Sequence, residues 1–330
     1  MKDVIIRKIN DNSLNIAKHY ILSDRLVAFP TETVYGLGAN ALSDEAIRAV
    51  YSAKGRPLDN PLIVHVDPSY DIEKLVYDNE TAKRLREAFL PGPLTMVYDS
   101  RGVVSPLCSC GLKTLAIRVP SHDGAQKFLK AMGVPIAAPS ANKSKHTSPV
   151  TAEHVFADFG KDVPLILDGG RCDGGIESTV LDVTGDIPVI LRKGLITAEM
   201  IRSVVGKCEY ASDDSALRAR SPGTKYRHYC PSTKTVLFDR ESTDKAAELY
   251  DETERRGGTA VIMCESDVLP YFGSRRAFDL GNCGAQMAAR LYYYLREAEK
   301  YDILIGVRFT PEDEIGLGVE NRFLKAFGQG

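Results

Sequence analysis

No apolar run in the 330 residues approaches membrane-spanning length, which excludes a transmembrane helix from this reading. The opening Met1-Lys-Asp-Val-Ile-Ile-Arg has neither the apolar core nor the cleavage site of a signal peptide, so a cytoplasmic protein is expected. Net charge is nearly absent as well. Lys+Arg 42 against Asp+Glu 44 leaves -2, so bulk electrostatics give no case for a nucleic-acid binder, and any anion site must be local. The cysteines at 108, 110, 172, 208, 230, 264 and 283 lack the paired spacing of a zinc site, and their odd number argues against a disulfide framework. Cys108-Ser-Cys110 is their only close pair, so no metal site built by protein side chains alone is expected. Nowhere does a glycine-rich stretch end in the Lys-Ser/Thr of a Walker A loop; Asp168-Gly-Gly-Arg-Cys-Asp-Gly-Gly175 reads as a flexible turn.

What remains is an ordinary globular composition, 44% hydrophobic and 26% charged, long enough for two domains. The first part alternates short apolar runs with helical patterns, as an α/β domain does. Strands are expected at Val4–Ile6, Leu26–Phe29, Leu62–Val66, Leu94–Tyr98, Leu115–Val119, Ile136–Ala138, Leu165–Leu167, Thr179–Asp182 and Pro188–Leu191. Helices are expected at Leu14–Ser23, Asp44–Ala53, Glu80–Phe89, Gly124–Met132 and Thr151–Phe159. Beyond Ile201 the pattern changes. A second, smaller α/β unit follows, with strands at Thr235–Phe238, Thr259–Met263, Arg276–Leu280 and Asp302–Val307 and helices near Asp244–Arg256, Ala285–Lys300 and Val319–Phe327. This alternation suggests a small doubly wound sheet, in which Tyr292, Tyr293 and Tyr294 are packing residues.

The stretch from Phe29 to His65 does not read as scaffold. Pro30 stops a strand, which leaves the hydroxyls of Thr31 and Thr33 in an irregular segment, and Gly36 and Gly38 let the backbone turn closely. Ser43 is a candidate N-cap, and the helix it opens ends just before Lys54 and Arg56, two cations separated by one glycine. In isolation such a pair is a solvated helix end favoured by the dipole. Here Pro57, Pro61 and the strand-end His65 make a stiff basic loop that suits phosphate. Alanine at Lys54 or Arg56 is therefore expected to remove activity without disturbing the fold, because both lie in a loop. The residues Gly36-Leu-Gly-Ala-Asn-Ala41 spell a dinucleotide fingerprint, with Asp59 about 20 residues on, but three polar residues separate them from the strand and the helix starts late. A nicotinamide-linked oxidoreductase is not supported.

Polar residues at strand ends mark where chemistry is expected. Thr114 and Arg118 bracket Leu115-Ala-Ile117, Ser140 and Asn142 follow Ala137-Ala-Pro139, and Arg192 follows Val189-Ile-Leu191. One arginine at a strand end is usually a snorkelling side chain. Several ends together with the basic loop are harder to dismiss. The run Pro139-Ser-Ala-Asn-Lys-Ser-Lys-His-Thr-Ser148 precedes a helix start and reads as a phosphate clamp.

The motifs Phe29-Pro-Thr-Glu-Thr-Val-Tyr-Gly-Leu, Lys54-Gly-Arg-Pro with Asn60-Pro-Leu, Pro91-Gly-Pro-Leu-Thr95, Ala116-Ile-Arg-Val-Pro120, Pro139-Ser-Ala-Asn142 and Ser178-Thr-Val180 resemble, in order, the YrdC-type family. The extra C-terminal segment is similar to the long, two-domain form of its threonylcarbamoyl-AMP synthases. The resemblance implies a YrdC-like domain over residues 1–207, a twisted mixed sheet with a concave active-site face. It further implies a linker over 208–234 and a Rossmann-like α/β domain over 235–330. Ser221-Pro-Gly-Thr-Lys-Tyr-Arg-His-Tyr-Cys-Pro231 resembles the family linker that folds back over the nucleotide; Thr224 stands where the family commonly has Met.

The implied reaction joins L-threonine, bicarbonate and ATP, with Mg²⁺ on the ATP, into threonylcarbamoyl-AMP and pyrophosphate. The product serves a downstream tRNA threonylcarbamoyl transferase that modifies a tRNA adenosine; direct tRNA binding is not required. By resemblance, Lys54 and Arg56 are catalytic, and with Ser140, Asn142 and Arg192 they hold the triphosphate. Asn60, Thr114, Ala138, Ser148, His228 and Tyr229 also belong to the ATP site. Thr33, His65, Arg118 and Ser178 hold threonine, with Arg118 taking its carboxylate as a two-pronged pair. The competing class is a module that binds double-stranded RNA or tRNA in the same basic concavity, distinguished by salt-dependent RNA affinity without ATP turnover.

Overall fold

The computed structural model describes residues 5–211 and 230–329. They fall into two compact units, the first made of the chain up to Ser144 and again from Ser148, the second of Lys145–Thr147 and the C-terminal part.

The first unit is built on a mixed sheet of 12 strands. In chain order these are β1 (Ile6–Lys8), β2 (Val27–Phe29), β3 (Gly36–Asn40), β4 (Ile63–His65), β5 (Val76–Tyr77), β6 (Leu94–Ser100), β7 (Thr114–Arg118), β8 (Ile136–Ala137), β9 (Ile166–Asp168), β10 (Thr179–Asp182), β11 (Val189–Arg192) and β12 (Glu209–Tyr210). Their order across the sheet is β1-β9-β2-β3-β8-β4-β7-β6-β10-β11-β12, with β5 on β6. Among the described residues six helices accompany them: α1 (Asp11–Leu22), α2 (Asp44–Lys54), α3 (Glu80–Phe89), α4 (Asp123–Met132), α5 (Ala152–Phe159) and α6 (Ala198–Val205).

Local chemistry explains where these elements differ from expectation. Helix α1 starts three residues before Leu14 because Asn10 and Ser13 cap each other reciprocally, each backbone N–H donating to the other's side chain at 3.0 Å. Gly36 and Gly38 do not turn. They lie in β3, antiparallel to β2, where an added Cβ would sit 3.1 Å from the Phe29 ring. A dinucleotide loop would need a turn and a helix at this point, so that reading falls away. Helix α2 runs one residue beyond Ala53 and stops at Gly55, whose φ of 61° is the left-handed cap that glycine adopts without strain. Lys54 is thus the last helical residue rather than part of a loop. Helix α6 and the two-residue strands β5 and β12 are additions to the elements expected from the sequence.

Helices α1 and α4 cover one face, where Leu14, Ile21, Phe128 and Leu129 pack on Phe29, Ile136 and Leu165. His65 pairs in register with Ile136 on one side and Arg118 on the other, so all three point to this face. Further along the same face, Ile63, Val97, Ala116 and Val180 form a small apolar floor.

The second unit is a parallel sheet of β13 (Lys234–Phe238), β14 (Ala260–Cys264), β15 (Ala277–Asp279) and β16 (Ile303–Val307), in the order β13-β16-β14-β15. Its helices are α7 (Thr243–Arg255), α8 (Gly284–Ala298) and α9 (Glu314–Ala326). The last begins earlier than its apolar pattern because Asp313 caps it, accepting from Gly316 N at 2.6 Å. Ala246 and Tyr250 of α7 pack on Ala260, Ile262, Ile303 and Ile305, whereas Gly306, on the alternate face, lies under Phe327 just past α9. Both faces are covered, so the sheet is doubly wound. The tyrosine run is packing: Tyr292 is fully buried and Tyr294 stacks on Phe278 at 4.7 Å.

A Cβ at Gly306 would stand 2.4 Å from Phe327 Cζ. Gly306→Ala should therefore destabilise the second unit by about 1–3 kcal/mol through overpacking. Chemical denaturation checks this, and an unchanged midpoint would mean that the ring moves aside freely.

Candidate active site

The site is organised by the C-terminal end of β7. The strand register sets Arg118 between His65 of β4 and Thr95 of β6, so three polar side chains stand in one row on the covered face. Arg118 is buried, and its Nη1 donates to Thr33 Oγ1 at 2.8 Å. Thr33 is presented there because Pro30 ends β2 and the Thr31 hydroxyl organises the following turn. That hydroxyl donates to Val34 O at 2.6 Å and accepts from the N–H groups of Thr33 and Val34 at 3.1 and 3.2 Å. On the other side of the row, Thr95 Oγ1 and Ser178 Oγ share a hydrogen bond at 2.7 Å. Thr33, His65, Arg118 and Ser178 are therefore brought together. The structure adds two residues whose roles were not read from the sequence, Thr95 and Glu32; an oxygen of Glu32 lies 2.8 Å from Arg118 Nη2. Thr95 lies in Pro91-Gly-Pro-Leu-Thr95 and Glu32 in Phe29-Pro-Thr-Glu-Thr-Val-Tyr-Gly-Leu, so the place of each in its motif was an available signal.

A second set forms around the end of α2. Lys54 Nζ donates to Ser140 O and Asn142 O, both at 2.6 Å, and reaches Asn142 Oδ1 at 3.4 Å. Ser140 Oγ donates to the same Asn142 Oδ1 at 2.6 Å. Arg56 Nη2 donates to Asn60 O at 3.0 Å, and that oxygen also receives the Tyr51 hydroxyl at 2.8 Å. The two sets are stitched together by the backbone: Ala141 N donates to Tyr35 O at 2.8 Å, and Gly36 bridges Ser140. Segment 139–142 thus runs beside the segment that carries Thr33.

Arg192 and Ser178, expected on different substrates, touch each other. Arg192 Nε and Nη2 donate to Ser178 O at 3.1 and 3.0 Å, and Nη2 also to Ser178 Oγ at 3.2 Å. Ser148 Oγ donates to Glu177 Oε1 at 2.7 Å, one residue from Ser178. Ala138 is buried, with its N–H on Ile63 O at 2.8 Å. Thr114 shares the Arg118 face of β7 but opens the strand that Arg118 closes, about 13 Å away at ~3.3 Å per residue. It is not gathered into the hydrogen-bonded cluster. His228 and Tyr229, with the rest of the expected linker motif from Ser221 to Tyr229, lie outside the described residues.

Electrostatics sharpen the picture. Burial, then the charge of Arg118, pushes His65 down to about 3, so its imidazole is neutral at physiological pH. Its Nδ1 is 3.2 Å from Ile63 O, and its ring meets Phe29 edge-on at 5.8 Å between centroids. Burial, with Arg56 adding, drives Lys54 well below its ordinary value. Nevertheless, three oxygens within its reach call for three donors, and only the ammonium supplies them.

The burial of Lys54 corrects the expectation that its removal spares the fold. Lys54→Ala removes the buried charged donor that Ser140 O and Asn142 O share and should cost roughly 1–3 kcal/mol of stability in addition to any loss of activity. Thermal melting decides it: an unshifted melting temperature would restore the loop-residue picture. His65 generates a pH dependence of stability. Because its folded value lies below its unfolded one, unfolding takes up a proton between pH 6.5 and about 3, and stability falls as pH falls through that window. His65→Asn should flatten this part of the stability–pH curve, as measured by denaturation at successive pH values. A slope identical to that of the parent would rule out the buried neutral imidazole.

The fold and site define a two-domain α/β protein whose first sheet carries a compact set of buried cations and hydroxyls suited to small anionic ligands. A family model described as "Telomere recombination", that of the Sua5/YciO/YrdC proteins, matches residues 19–194, and one described as "Threonylcarbamoyl-AMP synthase, C-terminal domain" matches residues 196–328. The chain belongs to the Sua5/YciO/YrdC family, in its two-domain form. It is 38% identical to a threonylcarbamoyl-AMP synthase of Pyrococcus abyssi over 97% of this chain and 96% of the relative. It is also 39% identical to a threonylcarbamoyl-AMP synthase of Bacillus subtilis over 97% and 94% of the two chains. Among solved structures, P. abyssi Sua5 complexed with L-threonine superposes with a TM-score of 0.86 at 38% identity, covering 98% of this chain and 96% of the other. These relatives are enzymes by name. Among the described residues, no helix is long and apolar enough to cross a membrane.

Proposed function

We propose that the chain makes threonylcarbamoyl-AMP from L-threonine, bicarbonate and ATP. The threonine nitrogen and bicarbonate give a carbamate with loss of water and a proton. The carbamate carboxylate then attacks the α-phosphate, and the bond to the β,γ-pyrophosphate breaks. The acyl adenylate would pass to a tRNA threonylcarbamoyl transferase for modification of a tRNA adenosine.

The observation that carries this reading is the buried Arg118 with Thr33 on one guanidinium nitrogen, in a row with neutral His65 and with Thr95, which is hydrogen-bonded to Ser178, in a chain so like a relative solved with L-threonine. An arginine fork suits the substrate carboxylate, and uncharged neighbours suit its hydroxyl. Attack by a carboxylate on phosphorus needs positioning and charge neutralisation rather than a protein base. Lys54, Arg56, Ser140, Asn142 and Arg192 are the set that would surround the triphosphate. These donors are cationic or neutral. Mg²⁺ would therefore arrive with the ATP, held mainly by its phosphates. Burial of Lys54, Arg56 and Arg118 also favours small ligands over an RNA duplex, whose phosphates stay at the surface.

The direct test is pyrophosphate release from ATP that depends on both threonine and bicarbonate; release indifferent to either would overturn the assignment. Arg118→Lys keeps the charge but loses the fork. Threonine affinity should drop roughly tenfold or more, the value of a charge-assisted hydrogen bond, while ATP affinity holds. Titration calorimetry with each ligand separates the two, and equal losses would count against Arg118 as the amino-acid reader.

A further inference from the structure

The Arg118–Glu32 contact is an ion pair of unusual form. Both side chains are largely buried, 4% and 16% exposed, and Nη2 lies 2.8 Å from Glu32 Oε1. Yet among the described residues neither carboxylate oxygen of Glu32 has a hydrogen-bond partner, and neither do Arg118 Nε and Nη2. The contact is close but off the N–H axis. Thr33 occupies Nη1, so the edge of the guanidinium formed by Nε and Nη2 is the one without a hydrogen bond. That edge is the fork that accepts a carboxylate through two parallel bonds.

We propose that Glu32 is a placeholder for the substrate carboxylate: it neutralises Arg118 while the site is empty and is displaced when a ligand carboxylate takes the Nε/Nη2 fork. The inference rests on the threonine reading given above and adds a residue that sets affinity through Arg118 rather than by touching the reacting atoms. Its physical basis is a balance. A buried guanidinium without a counter-charge is strongly unfavourable, so an empty site needs an internal anion. An anion that made two aligned bonds would be hard to displace, and Glu32 makes none. Its cost to the ligand is the fraction of time Arg118 is held, which lowers apparent affinity by the same factor for every ligand that needs the fork.

That equality supplies the test. Binding of L-threonine and of 3-hydroxybutanoate, which keeps the carboxylate and hydroxyl but lacks the amine, is measured by calorimetry on the full chain and on Glu32→Gln. If Glu32 holds Arg118 about nine-tenths of the time, both ligands should tighten by about tenfold, with ATP affinity unchanged. The ligand-free variant should melt lower than the parent and gain more from saturating threonine. Glu32→Asp, which keeps the charge on a shorter arm, should show a smaller tightening of the same kind and serves if the glutamine variant does not fold. Unchanged or weaker binding of both ligands overturns the placeholder. So does weaker threonine binding with tighter 3-hydroxybutanoate binding, which would place Glu32 on the substrate amine instead. A parent protein that binds no threonine would overturn the functional reading itself, together with this inference, whereas a parent that binds with no gain in the variants overturns the inference alone.

Discussion

A guanidinium buried at the end of a β-strand has to be compensated, and the arrangement around Arg118 follows from that constraint. Water cannot solvate it there, so its charge must be met by fixed groups. Thr33 supplies an acceptor at 2.8 Å and Glu32 a counter-charge at the same distance. The Thr31-centred turn after Pro30 exists in a form that delivers both. His65, next in the row, stays neutral partly because the same charge lies beside it. One cation thus shapes the conformation of a turn and the protonation of a neighbour.

Lys54 plays a comparable part at the other side of the site. As the last residue of α2 it sits where the helix dipole favours a cation, and it gathers the carbonyls of Ser140 and Asn142. The consequence is that the polar segment 139–142 is held against the helix end and, through Tyr35 and Gly36, against the strand that leads from the Thr31 turn. Structural and chemical duties coincide in such residues. A buried donor that organises the loop also defines the position from which that loop would meet a phosphate.

Much of this was legible in the residues. Polar side chains at strand ends, prolines beside cations and the ordered motifs pointed to Thr33, Arg118, Ser140, Asn142 and Ser178, because such residues at such places are costly unless used. Helical patterns gave α2, α3 and α4 to within a residue or so at each end, with Ser43 marking the start of α2. Other features were not legible. Gly36-Leu-Gly-Ala-Asn40 looked like a turn because glycine permits one, whereas pairing with β2 and β8 makes it a strand. Glu32 looked like one more polar residue in an irregular segment, and its partner is 86 positions away.

The sequence by itself determined the family, the two-unit α/β organisation and which residue types lie at the ends of which strands, because these depend on local patterning and on motifs read in order. Only the tertiary structure decided which of those residues meet. Strand order across 12 strands and the register that sets His65, Arg118 and Thr95 in one row are products of long-range pairing, which no local window contains. The same holds for the burial that neutralises His65, ties Lys54 to Ser140 and Asn142, and leaves Glu32 against Arg118 without a hydrogen bond. Desolvation and hydrogen-bond alignment are properties of a packed environment, and they come into being when distant segments close around a charge.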